Sequence, residues 1–326
     1  MKKLRWGFLS TARINRALMP AIKASKGSEL AAVASRSLDT ARAYAAEYHI
    51  PKAYGSYDAL LADPDIDAIY NPLPNNLHAE WTIRAAQAGK HILCEKPLAL
   101  SLAEVDAMTE AARRNNVVLM EAFMYRHHPK TLKIRELIAA GEIGEVRLIE
   151  GSFCFTLERP DDIRWKPEQG GGALWDVGCY PVSYSHMLAG CAPVEVFGRQ
   201  KLSPSGVDVT FAGQLRFPNG ILSQISASFE LPSQQEMIIR GSRGAIHVSM
   251  PFNPTQANSF TVIKKDSEKE YKFKAQELYL GEVQNMESAI REGSSTRLSL
   301  AESREILTTL LALYQSARTG APVPLP

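Results

Sequence analysis

The stretch Leu4-Arg5-Trp6-Gly7-Phe8-Leu9, running into Ser10-Thr11-Ala12-Arg13-Ile14-Asn15, decides how the chain is read. A short, largely apolar run stops at small and polar residues and gives way to a helix-period segment, the signature of a strand feeding a helix. The same unit recurs outward from it. Strands are expected at Leu30 to Ala34, Ala68 to Tyr70, His91 to Cys94 and Val117 to Met120, with helices at Leu38 to Tyr48, Leu77 to Ala88 and Leu102 to Arg114. Ser101-Leu102-Ala103-Glu104 reads as a capping box that starts the last of these helices. Parallel neighbours need a crossover, so this rhythm predicts a doubly wound parallel sheet over residues 1–123.

From Glu145 the period changes to two. Val146 to Phe155, Val194 to Lys201, Val207 to Phe217, Ile221 to Phe229, Glu236 to Gly241 and Ala245 to Met250 alternate apolar and polar residues, and Pro218-Asn219-Gly220 reads as a hairpin turn. A helix over Ala173 to Leu188 interrupts the strands, and two more close the chain at Glu277 to Arg291 and Leu300 to Arg318, the last behind a second capping box, Ser299 to Glu302. Residues 124–326 are therefore expected to form an α+β domain with a large, mostly antiparallel, open-faced sheet.

Composition excludes several classes. The 326 residues are 45% hydrophobic and 22% charged, ordinary for a soluble chain long enough for two cores. Lys and Arg total 37 against 35 Asp and Glu, and no basic stripe with interleaved aromatics appears, so no nucleic-acid partner is expected. No apolar run approaches a membrane span, and Met1-Lys2-Lys3 leads straight into a strand with no signal-peptide core. Cys94, Cys154, Cys179 and Cys191 form no C-x-x-C pair, which reads as reduced thiols of a cytoplasmic protein and not as a disulfide framework or a zinc site.

Four places carry candidate chemistry. Ser10, Thr11, Ala12, Arg13 and Ile14 occupy the turn where a dinucleotide fold meets a pyrophosphate, although the usual glycine positions hold Ser, Ala and Asn; the alternative is an ordinary strand–helix turn. The second strand ends in Ser35-Arg36-Ser37, with no carboxylate to repel a ribose 2′-phosphate and an arginine to pair with one, so NADP(H) is expected ahead of NAD(H); a solvated loop arginine is the plainer reading. Asn71, Pro72, Leu73, Asn75 and His78, then Glu95 and Lys96 before Pro97, lie just past strand ends, where open α/β sheets bind ligands. Lys96 reads either as a crevice lysine or as a surface one, and His78 equally as a helix-start histidine. Last, Gly170-Gly171-Gly172 opens the helix carrying Asp176 and Tyr180, four residues apart and so on one face, either a proton relay or a satisfied core pair. His127-His128 assemble with no acidic residues at ligand spacing, so no metal is expected.

Taken together, the strand-one turn, Asn71 to His78, Gly89-Lys90-His91-Ile92-Leu93-Cys94-Glu95-Lys96-Pro97, Glu121 to Pro129 and Gly170 to Tyr180 resemble the glucose-fructose oxidoreductase / inositol dehydrogenase (Gfo/Idh/MocA) superfamily over nearly the whole chain. The resemblance implies a Rossmann domain holding a nicotinamide cofactor, and a sugar or cyclic polyol against the open sheet. By position it makes Lys96 the lysine of the E-K-P motif and Asp176 the acid of the glycine-run segment. Tyr180 stands where inositol dehydrogenase-like members have histidine. That choice is similar to the glucose-fructose oxidoreductase, NADP-dependent xylose dehydrogenase and dihydrodiol dehydrogenase branches. Lys96, Tyr180 and Asp176 are then the expected catalytic residues, and Arg164-Trp165 are expected on the nicotinamide side. Two departures stand out: the missing turn glycines, and Pro181, which should bend its helix.

The expected activity is hydride transfer between NADP(H) and a sugar or cyclic polyol, as an aldose dehydrogenase or ketosugar reductase. Reduction of a nucleotide-linked keto sugar, dihydrodiol oxidation, and non-catalytic NADP sensing are the alternatives. Along Ile221 to Phe229, Leu222, Gln224, Ser226 and Ser228 share a face too polar for a core yet uncharged, which predicts pairing with a second copy as a homodimer or homotetramer.

Overall fold

The computed structural model describes residues 2–254 and 258–326. Its first strand, β1 (Leu4–Leu9), buries Trp6, Phe8 and Leu9 completely, as a central parallel strand covered on both faces must. There follow α1 (Asn15–Ala24), β2 (Ser28–Ala34), α2 (Leu38–Tyr48), β3 (Lys52–Tyr54), α3 (Tyr57–Leu61), β4 (Ala68–Asn71), α4 (His78–Gln87), β5 (His91–Glu95), α5 (Leu102–Arg114) and β6 (Leu119–Ala122). All the pairs are parallel, in the order β3-β2-β1-β4-β5-β6. The order reverses between β1 and β4, which makes their carboxyl ends the switch point where such sheets bind ligands. The Ser101–Glu104 capping box forms with both hydrogen bonds.

The next part begins with α6 (Pro129–Ala139) and β7 (Val146–Cys154). A π-helical turn, Leu174–Gly178, then runs into α7 (Cys179–Ala189). Six strands follow, β8 (Glu195–Leu202), β9 (Asp208–Arg216), β10 (Leu222–Ser228), β11 (Gln234–Gly241), β12 (Gly244–Ser249) and β13 (Ser259–Lys264), and then an edge strand, β14 (Ser267–Lys272). The chain ends in α8 (Leu280–Glu292), α9 (Leu300–Thr319) and the two-residue strand β15 (Val323–Pro324). Among the described residues nine strands form one sheet, β14-β13-β12-β11-β7-β10-β9-β8-β15, antiparallel except where β7 and β10 run side by side. Alternation sets its two faces. Along β9, Phe211, Gly213 and Leu215 are buried while Ala212, Gln214 and Arg216 are exposed. The buried face is covered by α7 and α9: Tyr314 packs on Phe211, and Ser316 accepts the Gly198 N–H at 2.9 Å.

The chain divides into two compact units, Met1–His127 with Gln276–Ser303, and His128–Ala275 with Arg304–Pro326. A single boundary at residue 123 therefore misses a return: α8 is part of the first unit. Its Glu287 accepts hydrogen bonds from Ser25 (2.6 Å) and Ser28 (2.5 Å), and Arg291 donates to the carbonyls of Lys2 and Gly27. The second capping box forms by half. Ser299 Oγ accepts the Glu302 N–H, but the Glu302 carboxylate pairs with buried Arg126 at 2.7 Å.

Candidate functional site

In the first unit the sequence candidates gather along the carboxyl edge of the six-stranded sheet. Register places Phe8 beside Tyr70 and Asn71 beside Cys94, so the residues after β1, β4 and β5 emerge together. After β1, Ser10 turns with φ of 84°, its Oγ accepts the Ala12 N–H, and Asn15 Nδ2 donates to its carbonyl. The start of α1 has neither a side-chain cap nor an acid in its first turn. Its first N–H groups, those of Asn15, Arg16 and Ala17, donate to the carbonyls of Ala12, Arg13 and Ile14, so what the turn offers an anion is the uncompensated positive end of the helix dipole, which suits a pyrophosphate and fits a dinucleotide here. Past β2, Ser37 is used to cap α2, whereas Arg36 is exposed and pairs with no carboxylate among the described residues. The edge thus offers a free cation where a 2′-phosphate would lie.

Beyond β4 and β5 the site becomes more constrained than the sequence suggested. Asn71 is wholly buried and donates to the His78 carbonyl and to Thr82 Oγ1. The His78 ring is also wholly buried, and its two nitrogens lie 2.8 Å from the carbonyls of Pro97 and Leu73. The ring ties the Asn71–His78 loop to the segment after Lys96 and leaves no polar atom for a ligand. Burial lowers its pKa, favouring the neutral form. Asn75 lies in a short 3₁₀ turn ahead of α4, with Pro72 and Leu73 buried just before it. The Lys96–Pro97 peptide is cis, and Lys96 is half-buried at the end of β5. Beside it, the Tyr70 hydroxyl donates to Glu95 Oε1 at 2.5 Å.

Two buried acids that the sequence does not single out lie in the same unit. Glu121 on β6 is 3% exposed and accepts the Leu98 N–H at 2.8 Å, and burial pushes its carboxyl up to about 7. Glu282 on α8 is fully buried, and neither of its oxygens finds a hydrogen-bond partner among the described residues. Burial, and then the charge of Glu95, raise its pKa well above the usual carboxylate range.

In the second unit Tyr180 and Asp176 sit on the segment that follows the glycine run. Gly171 and Gly172 donate their N–H groups to the carbonyls of Lys166 and Arg164, so the run folds back on its own chain. Arg164 bridges Asp162 and Asp176, 3.2 Å from the first and 2.5 Å from the second, and both acids hold its guanidinium firmly protonated. Asp176 is thus engaged by an arginine whose place in sequence suggested a ligand contact. Trp165 donates to the Arg159 carbonyl and packs edge-on against Phe229. Tyr180 is 6% exposed, with Phe153 and Phe252 each at 5.3 Å between ring centroids.

Pro181 does not bend a regular helix. It lies in the first turn of α7 directly after the π-helical turn, whose wider spacing relieves the clash between a proline ring and the carbonyl four residues back. Gly151 on β7 makes room for it, since a Cβ there would stand 2.8 Å from Pro181 Cβ. Sequence pattern shows none of this. A π turn has no residue signature, and an acid buried in a strand looks like any exposed one. Among the described residues no group of three or more His, Cys, Asp or Glu could hold a metal, and no helix is long and apolar enough to cross a membrane.

Comparison with known proteins gives these features a context. Residues 4–123 match the profile described as "Oxidoreductase family, NAD-binding Rossmann fold", and residues 131–247 match the "GFO/IDH/MocA C-terminal domain". The chain is 39% identical over 327 residues to D-xylose 1-dehydrogenase (NADP(+)) 2 of Haloferax volcanii, covering 99% of this chain and 100% of that one. It is 31% identical to the trans-1,2-dihydrobenzene-1,2-diol dehydrogenase of Mus musculus, over 99% and 98% of the two chains. Among solved structures it is similar to a 3-ketoreductase from Actinomadura kijaniata in complex with NADP and TDP-benzene, with a TM-score of 0.90, 30% identity and 98% of each chain covered.

Proposed function

The chain belongs to the GFO/IDH/MocA oxidoreductase family, and from that premise we propose that it transfers hydride between NADP(H) and a sugar, as an aldose dehydrogenase or ketosugar reductase. The observation that carries the reading is the placement of Lys96. It stands at the carboxyl end of β5, past the switch point, on a segment fixed by His78 through the Pro97 carbonyl and by Glu121 through the Leu98 N–H. A dinucleotide held by the turn after β1 and by Arg36 would bring the nicotinamide that supplies or receives the hydride. Tyr180 exchanges the hydroxyl proton at its phenolic oxygen, and the Lys96 ammonium lowers the phenol's pKa and stabilises the developing alkoxide. Asp176, paired with Arg164, orients the substrate. Exposed, uncompensated Arg36 supports NADP(H) over NAD(H), as the names of the Haloferax and Actinomadura relatives do for those proteins.

The open face of the nine-stranded sheet holds a concavity of about 500 Å³ lined by Ser152, Phe197, Gln214, Gln224, Ser226 and Ile238, which suits pairing with a second copy. Free cysteines, three of them buried, fit a reducing cytoplasm. The test is absorbance at the reduced-nicotinamide band with NADP+ and a panel of pentoses and hexoses, and with NADPH and ketosugars. Turnover of an aldose or ketosugar is the expected result. Turnover of a nucleotide-linked keto sugar or a dihydrodiol alone would move the assignment to those reductases and dehydrogenases. Tight NADP binding with no turnover across the panel would make the protein a sensor.

A further inference from the structure

The segment bearing Asp176 and Tyr180 begins on an acid to which the proposed activity assigns no role. Asp208, at the start of β9, is 2% exposed. Its Oδ2 accepts the Leu174 N–H at 2.7 Å, in the first turn of the π-helical segment, and its Oδ1 accepts the Tyr314 hydroxyl of α9 at 2.7 Å. Tyr314 is held in turn by Trp175 and Phe211, at 5.2 and 5.7 Å between ring centroids. The backbone is built around this carboxyl. Gly172 has φ of 126°, and a Cβ there would stand 2.2 Å from Asp208 Oδ1, so the run can reach Asp208 only without a side chain.

We infer that Asp208 is a positioning residue: by fixing the Leu174 N–H from β9 and anchoring to Tyr314, it sets the rotation and depth of the turn that presents Asp176 and Tyr180. The inference rests on the proposed role of Tyr180. Its physical basis is that the first N–H groups of a helical segment have no partner within it, so whichever acceptor they find fixes where the segment starts. Here that acceptor comes from the sheet and not from the local chain, since no side-chain cap is present at Ala173. Burial pushes the Asp208 carboxyl up to about 6, and the groups that oppose this, the Tyr314 phenol and the backbone N–H groups of Leu174, Asp208 and Ala173, bring no compensating charge. What the site needs from residue 208 is therefore an acceptor in a fixed place. An uncharged side chain of the same shape should serve.

The experiment compares D208A, D208N, Y314F and Y180F in the full-length protein, measuring kcat, substrate KM and NADP+ Kd. D208A leaves the Leu174 N–H without its acceptor. A displacement of the reacting groups by about 1 Å can cost on the order of 100-fold, so kcat should fall 10- to 100-fold. NADP+ Kd should stay within twofold, because the turn after β1 and Arg36, assigned to the pyrophosphate and the 2′-phosphate, belong to the other unit. D208N, which keeps an acceptor oxygen and can offer its amide to the Tyr314 oxygen, should recover kcat to within about threefold of native. Y314F keeps its ring packing and should lower kcat less than D208A does. A D208A enzyme with native kcat, or one losing NADP+ affinity as much as turnover, overturns the inference, as does a D208N enzyme no better than D208A. If D208A does not yield folded protein, the other two decide: native kcat in Y314F, or a loss in D208N as large as that expected of D208A, overturns it. Native kcat in Y180F would sink the Tyr180 role and this inference together, whereas an inactive Y180F beside a normal D208A sinks the inference alone.

Discussion

Replacing Glu121 by Gln isolates the energetic consequence of burying an acid behind Lys96. Glu121 is 3% exposed, and only one of its oxygens has a hydrogen-bond partner, the Leu98 N–H, among the described residues. Burial raises its carboxyl from 4.5 to about 7, against the opposing pull of Ser303, of the Leu98 N–H and, after these, of the Arg126 charge. A raised acid pKa means that the native state binds the proton more tightly than the unfolded chain does. The stabilisation is complete below pH 4.5 and is lost as pH rises through about 7. At about 1.4 kcal/mol per pKa unit, the loss amounts to about 3 kcal/mol. Gln keeps the acceptor for Leu98 and cannot ionise. Urea denaturation followed by circular dichroism, on native and E121Q protein at pH 4.5, 6, 7 and 8, gives the difference in unfolding free energy. E121Q should gain on the native protein by about 3 kcal/mol between pH 4.5 and 8, with most of the change between pH 5 and 7. A difference that does not vary with pH would refute the reasoning, because it would mean that Glu121 ionises as easily in the fold as outside it.

Other perturbations test the proposed chemistry and assembly. Y180F keeps the ring against Phe153 and Phe252, and K96M keeps the stem; each should lower kcat about 10²- to 10⁴-fold while NADP+ binding persists by fluorescence titration, and the double mutant should be little worse than the worse single one. R36A should weaken NADP+ binding about tenfold or more, for a lost charge-assisted contact of roughly 1.5–3 kcal/mol, and leave NAD+ Kd unchanged; equal losses would make Arg36 a support of the fold. G172A forces a side chain into a backbone of positive φ and into Asp208, so its melting temperature should fall by several degrees, for a backbone strain of about 1–3 kcal/mol. Light scattering at micromolar concentration should give a dimer or tetramer, and L222R on the open face should reduce that mass; a native monomer would end the assembly proposal.

Much of the architecture was legible because period and caps are local. The bounds of β1, α2 and α5 coincide with the apolar runs and capping residues that announce them. Short or polar strands were not legible. Lys52–Tyr54 is too brief for a period to register, and Ser267–Lys272 is an edge strand with nearly every residue exposed. At the site, Lys96 and the turn after β1 could be placed by their position at strand ends. The rest depended on contacts between distant segments. In sequence His78 reads equally as a ligand contact or a helix-start histidine, and only the fold puts its ring between two carbonyls; Glu121 and Asp208 differ from surface acids only in being buried. The Gly170–Gly172 run was legible as a place of close approach, but what approaches is the protein's own backbone and Asp208.

That α8 belongs to the first unit bears on how the protein is made. On a ribosome, β1 to β6 emerge early, yet the helix that supplies Glu287 to Ser25 and Ser28 follows only after roughly 150 further residues, about 10–30 s at ordinary elongation rates. Throughout that interval Ser25, Gly27 and Ser28 lack the partners that Glu287 and Arg291 will bring, and α8, whose Val283, Met286 and Ala289 are buried in the finished fold, does not yet exist. The second unit's long sheet meanwhile grows from the same nascent chain, with its own strand edges unpaired. Residence on a chaperone until synthesis ends, and low recovery of any fragment truncated before residue 303, are the in-cell signs of a Rossmann sheet whose last piece is delivered late.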